Sequence, residues 1–138
     1  AGMLEESHQQ VGRVLDTVAD QVAAGPVLVH CAFGKDRAGL MTALIHAAIG
    51  VSAHDIVADY TRSDGPAHRR RTALIANPLD DDPPVARLPE TLFRAPAETM
   101  ELVLDRAVAE HGSLVGWVAS FPVAATTIDR LRASLVER

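Results

Sequence analysis

Residues 27–39 limit what this chain can fold into more than any other part of it. An apolar run ends in a histidine and Cys31, and Arg37 follows after five further residues. The run over residues 27–29 comes after a Gly-Pro pair, which predicts a short buried strand. Residues 40–49 are mostly apolar and are followed by glycine, which predicts a helix. The window is therefore a strand-to-helix turn that carries a cysteine and an arginine.

The beginning of the predicted helix gives this turn an affinity for anions. Its first backbone N–H groups have no partners within the helix, and the aligned peptide dipoles make that end positive. The same field, together with Lys35 and Arg37, favours the thiolate of Cys31, and we expect its pKa to lie well below the free value of about 8.5. Arg37 can grip two oxygens of a phosphoryl group. The chemistry that fits is attack of the thiolate on a phosphate ester, followed by hydrolysis of a cysteinyl-phosphate.

The order His-Cys-x5-Arg, with the inner sequence Gly34-Lys35-Asp36-Arg37, resembles the signature loop of the atypical bacterial protein tyrosine and dual-specificity phosphatases. The similarity to the C-terminal half of that family extends from residue 3 to the C-terminus, and only the loop is highly specific. The resemblance implies the α/β cysteine-phosphatase fold, with one central strand that leads into the phosphate loop. It also implies that residues 1–138 are the C-terminal part of a larger domain, with a phosphorylated protein or a phosphoinositide as substrate.

The resemblance gives each position of the loop an expected role. Cys31 is the nucleophile, Arg37 is the clamp on the phosphate, and Asp36 is a candidate general acid. The other loop residues are expected to orient the loop or to bind the substrate, mainly through backbone N–H groups: His30, Ala32, Phe33, Gly34, Lys35, Ala38 and Gly39. Lys35 is also expected to steer phosphate or acidic lipid head groups. We expect no cofactor and no metal, because backbone dipoles and Arg37 can stabilise the charge of the transition state.

One position departs from the family pattern. The family usually has threonine or serine directly after the arginine, whereas this chain has Ala38. The resemblance assigns that hydroxyl a hydrogen bond to the cysteine sulfur, which eases the departure of the sulfur when the intermediate is hydrolysed. Its absence predicts slow hydrolysis of the phosphoenzyme and a burst of product release.

Other interpretations of the same residues stay open from the sequence. A single cysteine is most often a small buried hydrophobic residue, and a sulfur-transfer loop of the rhodanese type also carries a cysteine after a strand. A module that binds phosphate or phosphoinositides, with weak or no turnover, would use the same loop. Turnover separates the enzyme from the binding module, and a persulfide on Cys31 after treatment with thiosulfate would identify sulfur transfer.

The rest of the chain is predicted to be mostly helical. Apolar spacing and capping residues predict helices over residues 4–22, 53–62, 69–76, 96–111, 114–121 and 124–136. A single buried strand cannot satisfy its own backbone groups, so residues 27–29 need a partner. That partner is a strand within residues 85–94, the missing N-terminal part of the larger domain, or a second chain that completes the sheet. We favour the second of these, and we predict one domain without an internal boundary.

Composition and charge narrow the class of protein. The chain has 138 residues, of which 48% are hydrophobic, and this indicates a folded domain with a core. Its net charge of −5 argues against nucleic acid as a partner. Because the chain has one cysteine, no internal disulfide is expected. No signal peptide or membrane span is recognisable, which leaves the compartment open between cytoplasm and secretion.

Weaker signals lie outside the loop. The arginines at 69–71 could bind the acidic flank of a substrate or a phosphoinositide head group, or they could form a solvated helix face. Asp59 and Tyr60 could line the pocket, although a tyrosine at a helix end more often packs in the core. His46, on the helix behind the loop, is predicted either to pack in the core or to support the residues of the loop. The acidic run at 80–82 is predicted as a surface loop, with a metal site as the weaker alternative.

Overall fold

The computed structural model describes residues 2–78 and 85–136, and these residues form a bundle of helices. Of the side chains, those from residue 6 onward within these ranges are described. The α-helices are α1 (Gly2–Val22), α2 (Asp36–Ile49), α3 (Ala53–Thr61), α4 (Asp64–Ala76), α5 (Ala97–His111), α6 (Leu114–Ala119) and α7 (Thr127–Leu135). Two short 3-10 helices, Val85–Arg87 and Glu90–Phe93, lie between α4 and α5.

Helix α2 lies at the centre of the bundle and packs against α1, α3, α6 and α7. Its buried face is made of small residues and one leucine, so neighbouring helices can approach it closely. Leu15, Leu44 and Val118 have no exposed surface, and they place α1, α2 and α6 around one core. The Nε of Arg132 donates to the carbonyl oxygen of Ala48 at 2.8 Å and ties α7 to the end of α2. The loop that precedes α2 is therefore attached to the central helix, which is held in place by contacts with four other helices.

Most of the predicted helix ends agree with the structure to within about three residues, and two helix starts were placed four and five residues too late. Ser52 caps α3 as expected, since its hydroxyl accepts a hydrogen bond from the N–H of Asp55 at 3.1 Å. Helix α2 begins at Asp36, four residues earlier than predicted, so Arg37 belongs to its first turn. Helix α4 begins at Asp64, five residues earlier than predicted. An acidic residue and a proline are both tolerated in a first helical turn, which explains the second difference.

The predicted α/β fold with a central strand is wrong for the part of the chain that the structure describes. No residue in these ranges forms a strand, and residues 26–31 run into the loop without regular secondary structure. The Leu28 side chain is 84% exposed and Val27 is also exposed, while Val29 is partly buried. A strand requires hydrogen bonds to a neighbouring strand, and no such neighbour lies among the described residues. The apolar run at residues 27–29 therefore predicted a buried strand, but the described residues leave Val27 and Leu28 exposed.

The segment between α4 and α5 was one of the places where a partner strand could lie. It forms the two 3-10 helices instead, with Phe93 buried, so the prediction of a hidden strand there is wrong for residues 85–94. The predicted surface loop with the acidic run at 80–82 lies outside the described residues. Within the described ranges, no helix is both long enough and apolar enough to cross a membrane.

Candidate active site

The loop from His30 to Lys35 ends directly on the first turn of α2. Lys35 occupies the N-cap position, and Asp36 is the first residue of the helix. Gly34 adopts a φ of 65°, in the left-handed region that side chains rarely tolerate, and this turn lets the chain fold back over Cys31. The free N–H groups of a helix start are thereby placed beside the cysteine, as the sequence predicted.

Four backbone N–H groups converge on the sulfur of Cys31. Partial burial raises the pKa of the Cys31 thiol, but hydrogen bonds from the backbone N–H groups of the loop and of the first turn of α2 outweigh it, and the pKa lies below its ordinary value. The donors, in order of effect, are Ala38, Lys35, Gly34 and Phe33. Hydrogen bonds to the charged form of a group favour that form. This cradle of backbone N–H groups therefore favours the thiolate form of Cys31.

Cys31 lies at one wall of an open cleft of about 580 Å³. The cleft is also lined by His30, Ala32 and Arg37, so the loop and the first turn of α2 bring together the predicted nucleophile and the predicted phosphate clamp. The side chain of Arg37 is exposed, which leaves its guanidinium accessible to an anion. Arg70 of α4 lines the same cleft. Two arginines and a stabilised thiolate thus lie in one open cleft, and the arginines can bind an anion there.

The sequence predicted that the Lys35 ammonium would steer the substrate from the surface. In the structure the Lys35 side chain is buried. Its side chain is 6% exposed, and its Nζ lies 2.8 Å from Oδ1 of Asp36. The same ammonium donates to the carbonyl oxygen of Arg94 at 2.9 Å. The Asp36 side chain is 68% exposed, so the ion pair holds a carboxylate at the rim of the loop without burying it. Lys35 thus contributes its backbone N–H to the cradle and its ammonium to the position of Asp36.

The segment that receives the Lys35 ammonium is itself held in place by one carboxylate. Oδ1 of Asp64, at the start of α4, accepts hydrogen bonds from Nε of Arg94 and from the backbone N–H of Ala95, each at 2.8 Å. The side-chain hydrogen bond from Arg94 is the main reason that the pKa of Asp64 is lowered. Lys35, Arg94 and Asp64 therefore connect the loop to α4 through polar contacts between residues far apart in the sequence.

Phe33 provides the apolar contact between the loop and the same region. Its ring meets that of Phe93 edge to face, with centroids 5.1 Å apart. The guanidinium carbon of Arg70 lies 5.5 Å from the centre of the Phe33 ring, and that of Arg71 lies 5.5 Å from the Phe93 ring. These contacts fix the residue whose N–H points to Cys31, and they place Arg70 beside the cleft.

A smaller cavity of about 90 Å³ is lined by residues of the loop, α2 and α3, and it shares no lining residue with the open cleft. Ala38, His46, Asp59 and Tyr60 are among its lining residues. Tyr60 is buried, and a Cβ atom added at Gly39 would lie 3.0 Å from its ring, so glycine is required for α2 to pack this closely on α3. Tyr60 therefore packs against α2 and does not line the cleft of Cys31, and His46, which is only partly buried, lines this smaller cavity.

Sequence reasoning identified the loop residues but missed their supports. The loop contacts Phe93 and Arg94, and Arg94 in turn contacts Asp64. These contacts join residues about 30 to 60 positions apart, so no local sequence pattern predicts them. The arginine run at 69–71 was a usable signal, since one of its members lines the cleft. Among the described residues, no group of three or more histidine, cysteine, aspartate or glutamate side chains has the arrangement of a metal site.

The loop and the helix bundle define a domain built around an activated cysteine in an anion cradle. The profile of the tyrosine phosphatase family matches residues 1–137. The chain is also 35% identical over 135 residues to the triple specificity protein phosphatase PtpB of Mycobacterium tuberculosis, an alignment that covers 90% of this chain and 49% of the relative. The chain belongs to the tyrosine phosphatase family, which confirms the resemblance drawn from the loop. It spans about half the length of this curated relative.

Proposed function

We propose that this chain carries the catalytic loop of a cysteine-dependent phosphomonoester hydrolase that acts on phosphotyrosine or with dual specificity. The observation that supports it most is the convergence of four backbone N–H groups on the Cys31 sulfur, with Arg37 in the same cleft. A thiolate attacks phosphorus well, and N–H groups and a guanidinium stabilise the charge of the equatorial oxygens in the transition state. Family membership agrees with this chemistry.

The reaction proceeds in two displacements. The Cys31 thiolate attacks phosphorus, the phosphorus–oxygen bond of the ester breaks, and the leaving oxygen takes the proton of Asp36. A water molecule then attacks the cysteinyl-phosphate and transfers a proton to Asp36, while the sulfur departs as thiolate and inorganic phosphate is released. Arg37 holds two of the phosphate oxygens in both steps. The exposed carboxylate of Asp36, fixed by Lys35 at the rim of the loop, is positioned for the proton transfers.

Replacing Asp36 by alanine tests its role as the general acid. A poor leaving group needs the proton of the acid, whereas p-nitrophenolate leaves without it. We therefore expect Asp36→Ala to lower the rate on phenyl phosphate by about 10²-fold and to have a much smaller effect on p-nitrophenyl phosphate. Asp105→Ala removes an exposed carboxylate from α5 and serves as the control. Equal losses on the two substrates would rule out the role of Asp36 as the acid.

Ala38 predicts that hydrolysis of the phosphoenzyme is the slow step. Its N–H is a donor to Cys31, but it has no hydroxyl to stabilise the departing sulfur. We expect a burst of p-nitrophenol in stopped-flow measurements. We also expect Ala38→Ser to speed hydrolysis of the intermediate about tenfold, as one hydrogen bond to a charged group allows. Ala43→Ser is the matched control, because Ala43 is also buried and lines the same small cavity of about 90 Å³ as Ala38. Absence of a burst from active wild-type protein would contradict the prediction.

The second candidate is a phosphate-binding domain with little turnover, and the missing hydroxyl at Ala38 favours it. The cradle and Arg37 would bind the anion, and the reaction would stop at a long-lived phosphoenzyme. Multiple turnovers in the presence of excess substrate support the enzyme. Release of one equivalent of the leaving group per protein, followed by no further product, supports the binding domain.

We further propose that this chain is the C-terminal part of a larger phosphatase domain. The exposed side chains of Val27 and Leu28 adjoin an apolar groove lined by Val22, Ile45 and Leu135, among others. Apolar surface of this kind marks a contact with another segment, and the chain spans 49% of its mycobacterial relative. A longer form of the protein is expected to protect Leu28 from solvent, which hydrogen exchange can measure on the backbone of residues 26–31.

A further inference from the structure

We infer that Arg70 forms a subsite for a carboxylate that neighbours the phosphorylated residue of a peptide substrate. This inference rests on the proposed phosphatase function and specifies its substrate. Arg70 comes from α4, whereas the phosphate cradle comes from the loop and α2. It nevertheless lines the cleft of Cys31 and Arg37. The site thus has a cation beyond those that a single phosphate needs.

The position of Arg70 is set by the loop itself. Its guanidinium carbon lies over the Phe33 ring, 5.5 Å from the ring centre, and the same ring contacts Phe93 edge to face. A guanidinium held over an aromatic ring by a cation–π contact can still use its N–H groups to bind a planar carboxylate. Among the residues that the structure describes, no carboxylate forms an ion pair with Arg70. The Arg70 guanidinium is therefore held at the cleft, where its N–H groups can donate hydrogen bonds to a ligand.

The neighbouring arginines differ from Arg70 in their surroundings. Arg69 is exposed and does not line the cleft. Arg71 stacks on Phe93, and its Nε is buried. Of the three consecutive arginines, Arg70 alone is among the residues that line the cleft with Cys31. This difference provides a matched pair of positions for an experiment.

The geometry of the cleft favours a soluble acidic peptide over an anionic membrane as the source of the second anion. A net charge of −5 opposes approach to an extended lipid surface with many negative charges, whereas a peptide brings only a few charges to the two arginines of the cleft. A single arginine at an open cleft matches the single carboxylate of a glutamate or aspartate next to the phosphorylated residue. The same contact would not distinguish neutral peptides from one another.

The test compares two phosphotyrosine peptides, one with glutamate on both sides of the phosphotyrosine and one with glutamine at the same positions. The readout is the ratio of kcat/KM for the two peptides on the same protein, which cancels any general loss of activity from a displaced Phe33. We expect the wild type to prefer the glutamate peptide about fivefold, the upper range for an exposed ion pair. The preference should fall as salt is added.

Arg70→Gln should bring the ratio to one, whereas Arg70→Lys should keep part of it and Arg69→Gln should leave it unchanged. A wild type without preference, or a preference that survives in Arg70→Gln, overturns the subsite while the phosphatase function stands. The subsite would also be overturned if Arg70→Gln lost activity only on phosphoinositide vesicles and the wild type showed no preference between the two peptides. If neither peptide nor p-nitrophenyl phosphate is hydrolysed, the proposed function fails, and the subsite fails with it.

Discussion

Replacing Cys31 by serine is expected to lower kcat on p-nitrophenyl phosphate by about 10⁴-fold or more, the scale of loss when a nucleophile is removed. Serine keeps nearly the shape of cysteine, but its hydroxyl is not ionised near neutral pH, so the N–H groups of Gly34 and Ala38 have no thiolate to stabilise. Those donors stay in place, and binding of a phosphotyrosine peptide is therefore expected to persist. Calorimetry on the serine variant measures that binding.

The role of Cys31 can also be tested by locating the covalent intermediate on the wild-type protein. Because Cys31 is the single cysteine, the site of any covalent intermediate can be assigned without ambiguity. Rapid quenching of the wild type with substrate, followed by mass spectrometry, should find phosphate on the peptide that contains residue 31. Full activity of Cys31→Ser, or phosphate on another residue, would mean that a different group is the nucleophile.

Replacing Arg37 by lysine is expected to lower kcat/KM by about 10²-fold. Lysine retains the positive charge in the cleft, but it cannot donate two parallel hydrogen bonds to one phosphoryl group. Removal of a donor to transition-state charge has effects of this size in other enzymes. Because Arg37 is exposed in the first turn of α2, the substitution should not disturb the fold, and thermal unfolding can establish this.

Arg106→Lys is the matched control for this experiment. Arg106 is an exposed arginine on α5 that pairs with Glu110 at 2.7 Å, and it does not line the cleft. We expect its replacement to leave kcat/KM unchanged. Equal activity of the Arg37→Lys variant and the wild type would show that charge alone is sufficient and that bidentate contact with the phosphate is not used.

The loop could be predicted from sequence because its chemistry is local. Cys31 and Arg37 lie six positions apart, and the glycine between them supplies the turn that brings backbone N–H groups to the sulfur. The supports could not be predicted, since Lys35 reaches Arg94 and Phe33 reaches Phe93 across nearly sixty residues. Those contacts depend on the packing of α4 and of the 3-10 helices, which local spacing does not encode.

The prediction of a strand failed for a different reason. Three consecutive apolar residues at 27–29 are typical of a buried strand, but secondary structure of this kind depends on a neighbouring strand. No strand lies among the described residues to pair with this segment, and Leu28 is left exposed. The helices were predicted more successfully, because their hydrogen bonds lie within each segment and their ends carry recognisable residues such as Ser52 and Gly112.

The ionisation of Cys31 tests the central claim most directly. The rate of alkylation of this thiol by iodoacetamide, followed from pH 5 to pH 10, reports the fraction of thiolate at each pH. Because the backbone N–H groups lower the pKa of Cys31, we expect the rate to reach its plateau below the range of a free thiol, whose pKa is about 8.5. An inflection at or above that value would contradict the account, since the loop would then hold an ordinary thiol.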